Sequence, residues 1–108
     1  MRIIVSKYFN RESKRLFKKY VSLAKDVANL IQSLEVTPFQ GTPIGKGCYK
    51  IRLKIASKKI GKSGGARVIT HIFVENDTVT LLAIYDKSEQ SDIPDVEIIK
   101  RLKELEDE

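Results

Sequence analysis

The spacing of apolar side chains changes near residue 48, and this change constrains the fold more than any other feature. Before it, apolar residues recur every three or four positions, as at Val27, Leu30 and Leu34, which is the period of an amphipathic helix. Over residues 48–56, apolar and basic residues alternate, which is the period of a strand with one buried face. A chain that carries both patterns packs helices on a sheet.

The remaining patterns extend this to the element order β-α-α-β-β-β-α. Strands are predicted at residues 2–6, 48–56, 66–74 and 78–86. Two consecutive helices precede the second strand, and a last helix begins at Pro94. Residues 37–47 carry two prolines and three glycines and are predicted to form a connecting loop. The sequence therefore predicts an α+β fold in which a helical hairpin packs on a small antiparallel sheet, with residues 1–108 as a single domain.

The composition narrows the cellular context. Hydrophobic residues make up 42% of the chain and charged residues 31%, which is typical of a globular domain. The lone Cys48 supplies neither a disulfide nor a set of metal ligands, which suits a reducing compartment. No apolar run approaches the roughly 20 residues of a membrane span, and the first residues lack the apolar core of a signal peptide. We therefore expect a cytoplasmic protein without a metal, a cofactor or a membrane contact.

Charge is distributed unevenly along the chain. Residues 36–74 contain eight Lys and Arg but no Asp or Glu, while residues 75–108 contain eleven acidic residues and four basic ones. A solvated surface normally intersperses the two signs. The acid-free segment is therefore predicted to form a face that binds a polyanion, with the acidic C-terminal region on another face or shielding it.

Three cations share the polar side of the strand at residues 48–56. Lys50, Arg52 and Lys54 are spaced about 6.6–6.8 Å apart along it, which is comparable to the phosphate spacing of an extended single-stranded nucleic acid. Crowded like charges cost folding free energy, and a bound polyanion offsets that cost. The alternative is an edge strand that uses its cations against aggregation. The acid-free loop that follows favours nucleic-acid binding.

Further candidate residues flank this row. The basic glycine-rich loop contributes Lys58, Lys59 and Lys62. Arg67 begins the next strand and is expected to neighbour the row as an anion clamp. Tyr85 and Lys87 close the last strand, where Tyr85 is predicted either to stack on a base or to cover the sheet edge. The single histidine, His71, lies among apolar residues, which favours a structural role over acid–base catalysis.

These residue types limit the chemistry. The chain shows no histidine pair, carboxylate pair or nucleophile–base couple, which argues against two-imidazole ribonucleases and the common hydrolases. A cluster of cations can still catalyse phosphoryl transfer, because a lysine crowded by other cations releases its proton more readily. The remaining cations stabilise charge on the phosphate oxygens. RNA carries its own nucleophile, the 2′-hydroxyl, so the protein need not supply one.

The segments "YKIRL", "GKSGGARVI" and "LLAIYDKSEQ" together resemble bacterial toxins of the RelE/ParE superfamily, particularly its RelE-like and HigB-like members. The segments "NRESKRLFKKY" and "PFQGTPIGKG" fit the helical hairpin and the connecting loop of the same group, so the resemblance spans nearly the whole chain. It implies a compact α+β fold and a role as the toxin of a type II toxin–antitoxin system. RelE-like members enter the ribosomal A site and cleave mRNA there through attack by the 2′-hydroxyl.

The resemblance also implies roles for single residues. The lysine-rich strand corresponds to Lys50, Arg52 and Lys54, and the phosphate-stabilising arginine to Arg67. Arg52 stands where the family often has a lysine that acts as general base, and a guanidinium cannot take that role. Lys50 or Lys54 is then the candidate base. The arginine and tyrosine that some relatives carry after the fourth strand are missing here. Lys87, as a candidate acid, and Tyr85 replace them.

Three functions follow from these observations. The first is a ribosome-dependent mRNA endonuclease, or mRNA interferase, in which Lys58, Lys59 and Lys62 bind ribosomal RNA. Its partners are mRNA, the ribosome and a cognate antitoxin, expected to be of the helix-turn-helix type. The second is a toxin of the ParE type that poisons DNA gyrase, a function that does not need the cationic row. The third is a non-catalytic protein that binds RNA or the ribosome with a steep salt dependence.

Overall fold

The structure is a computed structural model that describes residues 1–58 and 64–106, and its elements confirm the α+β fold. Lys59 and Lys62, two of the predicted RNA contacts, lie outside the described residues. The strands are β1 (Arg2–Val5), β2 (Thr42–Gly45), β3 (Cys48–Leu53), β4 (Ala66–Phe73) and β5 (Thr78–Asp86). The helices are α1 (Lys7–Lys19), α2 (Leu23–Val36) and α3 (Asp95–Glu106).

The five strands form one mixed sheet in the order β1-β5-β4-β3-β2. The sheet departs from the antiparallel prediction at one edge, where β1 pairs in parallel with β5. All other neighbouring pairs are antiparallel. Alternation of residue types reveals a strand locally, whereas the direction of pairing depends on partners far away in sequence. The sequence therefore predicted the strands but not this parallel pair.

A short strand also lies inside the predicted connecting loop. Strand β2 pairs with β3 at the edge of the sheet, with Pro43 opposite Tyr49. Pro43 interrupts the usual strand pattern because it has no N–H, yet a proline is tolerated on an edge strand. The turn that joins β2 to β3 uses positive φ angles at Gly45, Lys46 and Gly47. The prolines and glycines of this segment are typical of a loop, and for this reason the edge strand β2 was not predicted.

The helical hairpin of α1 and α2 covers one face of the sheet, as predicted. Ser6 begins α1 as its N-cap, since its side chain accepts a hydrogen bond from the backbone N–H of Phe9 at 3.1 Å. Leucines at helical spacing on both helices, including Leu16 and Leu34, are completely buried against the sheet. Ile51 of β3 points into the same core. The polar residues that alternate with Ile51 must therefore point to the opposite face.

Helix α3 covers only part of that opposite face. It packs through Ile98, while Val96 is 73% exposed. Arg101 anchors the helix, since its guanidinium donates to the carbonyl of Leu82 and to Glu12 of α1. The candidate site lies on this face and includes residues from the start of β4 and the end of β5. No helix in residues 1–58 and 64–106 is both long enough and apolar enough to cross a membrane.

Candidate functional site

An open cleft of about 640 Å³ lies on the part of the sheet face beside α3. Five of the residues singled out in the sequence contribute to its lining, namely Lys50, Arg52, Arg67, Tyr85 and Lys87. Another wall is formed by Gln40 and Gly41, which precede β2, and by Thr42, the first residue of β2. The sheet thus gathers cations that are up to 37 positions apart in the sequence into one concave surface.

Strand register explains why these side chains meet. Arg67 of β4 pairs with Arg52 of β3 on one side and with Tyr85 of β5 on the other. Directly paired residues project from the same face of a sheet, at Cβ distances of about 4.5–5.5 Å. Two guanidinium groups and a phenol therefore stand in a line across three strands. Lys50 follows on the same face, two positions before Arg52.

The close approach of the wall to the sheet depends on a glycine. Gly41 has a φ of +90°, and a Cβ at this position would lie 2.3 Å from the backbone oxygen of Lys50. Only a residue without a side chain fits against the strand there. The sequence showed Gly41 as one of several loop glycines, and nothing in it distinguished this position from the others.

The residues of the site differ in solvent exposure, from buried at the floor of the cleft to exposed at its rim. Arg67 is only 6% exposed and donates a hydrogen bond to the backbone carbonyl of Ala66 at 3.2 Å. Tyr85 is 4% exposed, so its ring packs in the core and is not open for stacking with a base. This favours the alternative in which Tyr85 covers the sheet. Arg52, in contrast, is exposed at the rim.

A carboxylate that the sequence did not single out contacts two residues of the cleft lining. One oxygen of Asp92 lies 2.6 Å from the ammonium of Lys50 and accepts a hydrogen bond from the hydroxyl of Tyr85 at 3.3 Å. The hydrogen bond from Lys50 lowers the pKa of the Asp92 carboxyl. Burial and the charge of Asp92 raise the pKa of Tyr85 to about 12, so its hydroxyl keeps its proton near neutral pH. The cationic row is therefore not wholly clear of the protein's own acids.

Lys87 directly follows the last residue of β5 and also lines the cleft. Its ammonium donates to the backbone carbonyl of Ser91 at 2.9 Å. Its own backbone N–H donates to the carbonyl of Gly65, which ties the end of β5 to the start of β4. Lys87 thus stays beside Arg67 and Tyr85 while its ammonium braces the segment that carries Asp92.

Lys58, which was predicted to contact RNA, makes several contacts within the protein. Its ammonium lies 2.9 Å from an oxygen of Asp86 and also donates to the carbonyl of Gly64 and the hydroxyl of Ser88. The cation is therefore used within the protein, because Asp86 is completely buried and needs a counter-charge. Lys54 follows the last residue of β3, is exposed, and lies outside the cleft lining.

Asp86 is the centre of an internal network on the hairpin side of the sheet. The hydroxyl of Tyr20 and the ammonium of Lys19, both near the end of α1, also donate to it. Burial alone raises the pKa of the Asp86 carboxyl, but hydrogen bonds from Tyr20, Lys58 and Ser88 outweigh burial and hold that pKa well below its usual range. Asp86 therefore remains ionised and joins the helical hairpin to the end of β5.

The remaining titratable candidates lie outside the cleft. Burial lowers the pKa of His71, whose ring packs edge-on against Phe73 at 6.5 Å between centroids. Burial raises the pKa of the Cys48 thiol to about 11, which makes it a poor nucleophile. Within residues 1–58 and 64–106, no cluster of His, Cys, Asp and Glu could hold a metal ion. The cleft itself offers guanidinium, ammonium and hydroxyl donors, and this set is suited to binding an anionic ligand such as a phosphodiester.

Comparison with known proteins supports the fold. No protein-family model matches the chain. Among solved structures, it is similar to the E. coli toxin RelE, in a mutant with two arginines replaced by alanine, in the free state. The similarity has a TM-score of 0.57 at 15% sequence identity and covers 83% of this chain and 86% of RelE. The chain therefore has a RelE-like α+β fold.

Proposed function

We propose that this protein is the toxin of a type II toxin–antitoxin system and acts as a ribosome-dependent mRNA endonuclease. The observation that carries the proposal is the cleft in which Lys50, Arg52, Arg67 and Lys87 converge on a RelE-like fold. A concave surface lined by cations binds the phosphates of a single RNA strand, because such grooves follow the backbone. An activity on ribosomes places the protein in the cytoplasm.

The proposed reaction uses the RNA as its own nucleophile. A base removes the proton of a 2′-hydroxyl, the oxygen bonds to the adjacent phosphorus, and the bond from phosphorus to the 5′-oxygen breaks. The departing 5′-oxygen takes a proton from an acid, which leaves a 2′,3′-cyclic phosphate and a 5′-hydroxyl end. Arg52 and Arg67 stabilise the charge that develops on the phosphate oxygens. Lys87 is the proposed acid.

Lys50 and Lys54 remain the candidates for the base. Support for Lys50 comes from the cleft, since Lys50 contributes to the lining and the exposed Lys54 does not. Lys50 must first lose its contact with Asp92, because its nitrogen has to reach the 2′-hydroxyl. In the proposed complex Lys54 contacts ribosomal RNA next to the cleft. The antitoxin partner, expected to be of the helix-turn-helix type, covers the basic surface.

The proposal is tested by mapping the 5′ ends of mRNA incubated with purified ribosomes. Wild-type protein is expected to produce cuts in phase with the codons. Arg52→Ala removes a phosphate contact and is expected to slow cleavage by about 10²-fold. Lys25→Ala, which removes an equal charge from an exposed position on α2, serves as the matched control and should cut at the wild-type rate.

Two results would refute the nuclease. One is an absence of cuts with wild-type protein on translating ribosomes. The other is equal cleavage by wild-type protein and the Arg52→Ala variant. Growth arrest with an SOS response and intact mRNA would instead support the ParE-like alternative. Binding to ribosomes without cleavage would support the non-catalytic one.

A further inference from the structure

Three hydrogen-bond donors converge on a single oxygen of Asp92, and two of them belong to residues that line the cleft. The ammonium of Lys50 lies 2.6 Å away, the backbone N–H of Ile93 2.9 Å and the hydroxyl of Tyr85 3.3 Å. One ammonium, one hydroxyl and one amide form the kind of donor set that binds a phosphate oxygen. Asp92 thus presents an anionic oxygen to donors that line the candidate RNA site.

The two side-chain donors, Lys50 and Tyr85, are fixed more firmly than the acceptor. Lys50 extends from β3 and Tyr85 from the buried end of β5, so the sheet determines where both groups lie. Asp92 belongs to the segment between β5 and α3, and its side chain is 61% exposed. An exposed ion pair of this kind contributes little free energy. An incoming anion can therefore take the place of the carboxylate without disturbing the sheet.

Asp92 is better suited to competition than to catalysis. Lys50 lowers the pKa of the Asp92 carboxyl, and a carboxylate with a low pKa is a weak base. The same property keeps the carboxylate negatively charged at neutral pH. It then competes with a phosphate oxygen for the same donors, since both are anionic acceptors.

We propose that Lys50 and Tyr85 form a subsite for one RNA phosphate, and that Asp92 occupies this subsite until RNA displaces it. The inference rests on the proposed function, because it assigns a place in the cleft to the RNA backbone. Asp92 is then a residue that sets affinity: it weakens the binding of free RNA, which must displace it. RNA that a larger assembly holds in place displaces Asp92 more readily, because its effective concentration at the cleft is high.

The test is a comparison of RNA affinities by fluorescence anisotropy, with a short labelled single-stranded RNA of mixed sequence. Asp92→Asn keeps an acceptor for the N–H of Ile93 and removes the charge. It is expected to tighten the dissociation constant by about fivefold. Asp95→Asn, the same change three positions along at the start of α3, is the matched control and is expected to alter affinity by less than about twofold.

The same substitution in a Lys50→Ala variant distinguishes displacement of Asp92 by RNA from a general effect of removing a negative charge. In the Lys50→Ala variant the subsite has lost its cation, so Asp92→Asn is expected to give no further gain. The proposal is overturned if Asp92→Asn gives no gain, if Asp95→Asn gives the same gain, or if the gain persists without Lys50. Thermal melts confirm that each variant is folded.

The results of this test can be distinguished from the results that test the proposed endonuclease. A protein that binds RNA with the expected pattern but never cuts mRNA on ribosomes would refute the endonuclease and leave the subsite standing. A protein that cuts in phase with codons but shows no effect of Asp92→Asn would refute the subsite alone. An absence of binding of free RNA by every variant, including Asp92→Asn, would overturn the subsite alone, because the endonuclease is tested by cleavage on ribosomes.

Discussion

Two neighbouring residues at the end of β5 point to opposite faces of the sheet and create two different electrostatic environments. Tyr85 faces the cleft, where Arg52 is exposed and Lys50 has only the exposed Asp92 as its carboxylate contact among the described residues. Asp86 faces the hairpin side, where it is completely buried and holds Lys19 and Lys58. Arg52 on the cleft face is presented to solvent, whereas Lys58 on the other face is held by a buried carboxylate.

This difference shows why a count of charges cannot identify a binding surface. Lys58 and Arg52 both belong to the acid-free segment of the sequence, and both were predicted to contact RNA. The acid that neutralises Lys58 lies 28 positions further along the chain, at Asp86. A cation is available to a ligand only when the fold brings no buried carboxylate to it. The predictions below test this distinction, beginning with the largest effect.

Replacing the buried carboxylate is expected to have the largest effect. Asp86→Asn leaves Lys58 and Lys19 without their buried counter-charge and should lower the free energy of unfolding by about 3 kcal/mol. Glu89→Gln is the matched control, because Glu89 pairs with Arg15 and Lys19 at the surface. It should cost less than about 1 kcal/mol. Urea unfolding near neutral pH measures both, and equal losses would contradict the distinction between the two environments.

Removing one cation from each environment sharpens the comparison. Arg52→Ala should weaken the binding of single-stranded RNA about tenfold and reduce the slope of log affinity against log salt by about 0.7. Lys58→Ala removes the same charge from the internal network and should leave the salt slope unchanged. Anisotropy titrations over a range of salt concentrations, at a temperature where both variants are folded, measure the two slopes. A lower slope for Lys58→Ala would show that Lys58 does reach RNA.

Acid is expected to weaken the internal network at a defined pH. Because the pKa of Asp86 is lower in the folded protein than in the unfolded chain, its contribution to stability is complete above the ordinary aspartate value of 3.8. That contribution decreases as the pH falls below this value toward the folded pKa. Wild-type stability should therefore decline steeply between about pH 4 and pH 2.

The Asp86→Asn variant is the control for this acid effect. Its stability should decline less steeply as the pH falls. The decline that remains comes from Glu89, Asp92 and Glu104, because hydrogen bonds lower their pKa values as well. Chemical denaturation at several pH values gives the two profiles. Parallel profiles for the variant and the wild type would mean that Asp86 does not govern acid stability.

The smallest effect is expected from the two tyrosine hydroxyls. Tyr85→Phe removes a hydrogen bond to the exposed Asp92, which water can replace, so the free energy of unfolding should change by less than about 1 kcal/mol. Tyr20→Phe removes a hydrogen bond to the buried Asp86 and should cost about 1–3 kcal/mol. Thermal unfolding of both variants provides the comparison. Equal losses would indicate that the two carboxylates are equally solvated.

The helices and strands of this fold were predicted better from the sequence than the way in which the strands pair. Hydrophobic spacing located the helical hairpin and the three long strands, because helix and strand periods are local properties of the chain. It also placed Lys50 and Arg52 on the face away from the hairpin core. The parallel pairing of β1 with β5 and the edge strand at Thr42–Gly45 depend on contacts between distant segments, and no local pattern encodes them.

The same limit applies to the site. Proximity of Arg67 to the basic row followed from the β3–β4 connection, since consecutive strands usually pair. Asp92 was missed because it reaches Lys50 from 42 positions away, on a segment with no periodic pattern. Its place two residues before Pro94 marked a helix start and gave no sign of a contact with the cleft. The contact of Lys58 with Asp86 was missed for the corresponding reason, since Asp86 ends a different strand.

The most direct test of the central claim is a titration of the isotope-labelled protein with single-stranded RNA, followed by NMR. If the cleft cations meet RNA while the Asp86 network does not, the largest shifts will occur at the amides of Lys50, Arg52, Arg67 and Lys87. The amides of Lys19 and Tyr20 will change little. The largest shifts on the helical hairpin around Lys19 and Tyr20, with none along β3, would contradict the account.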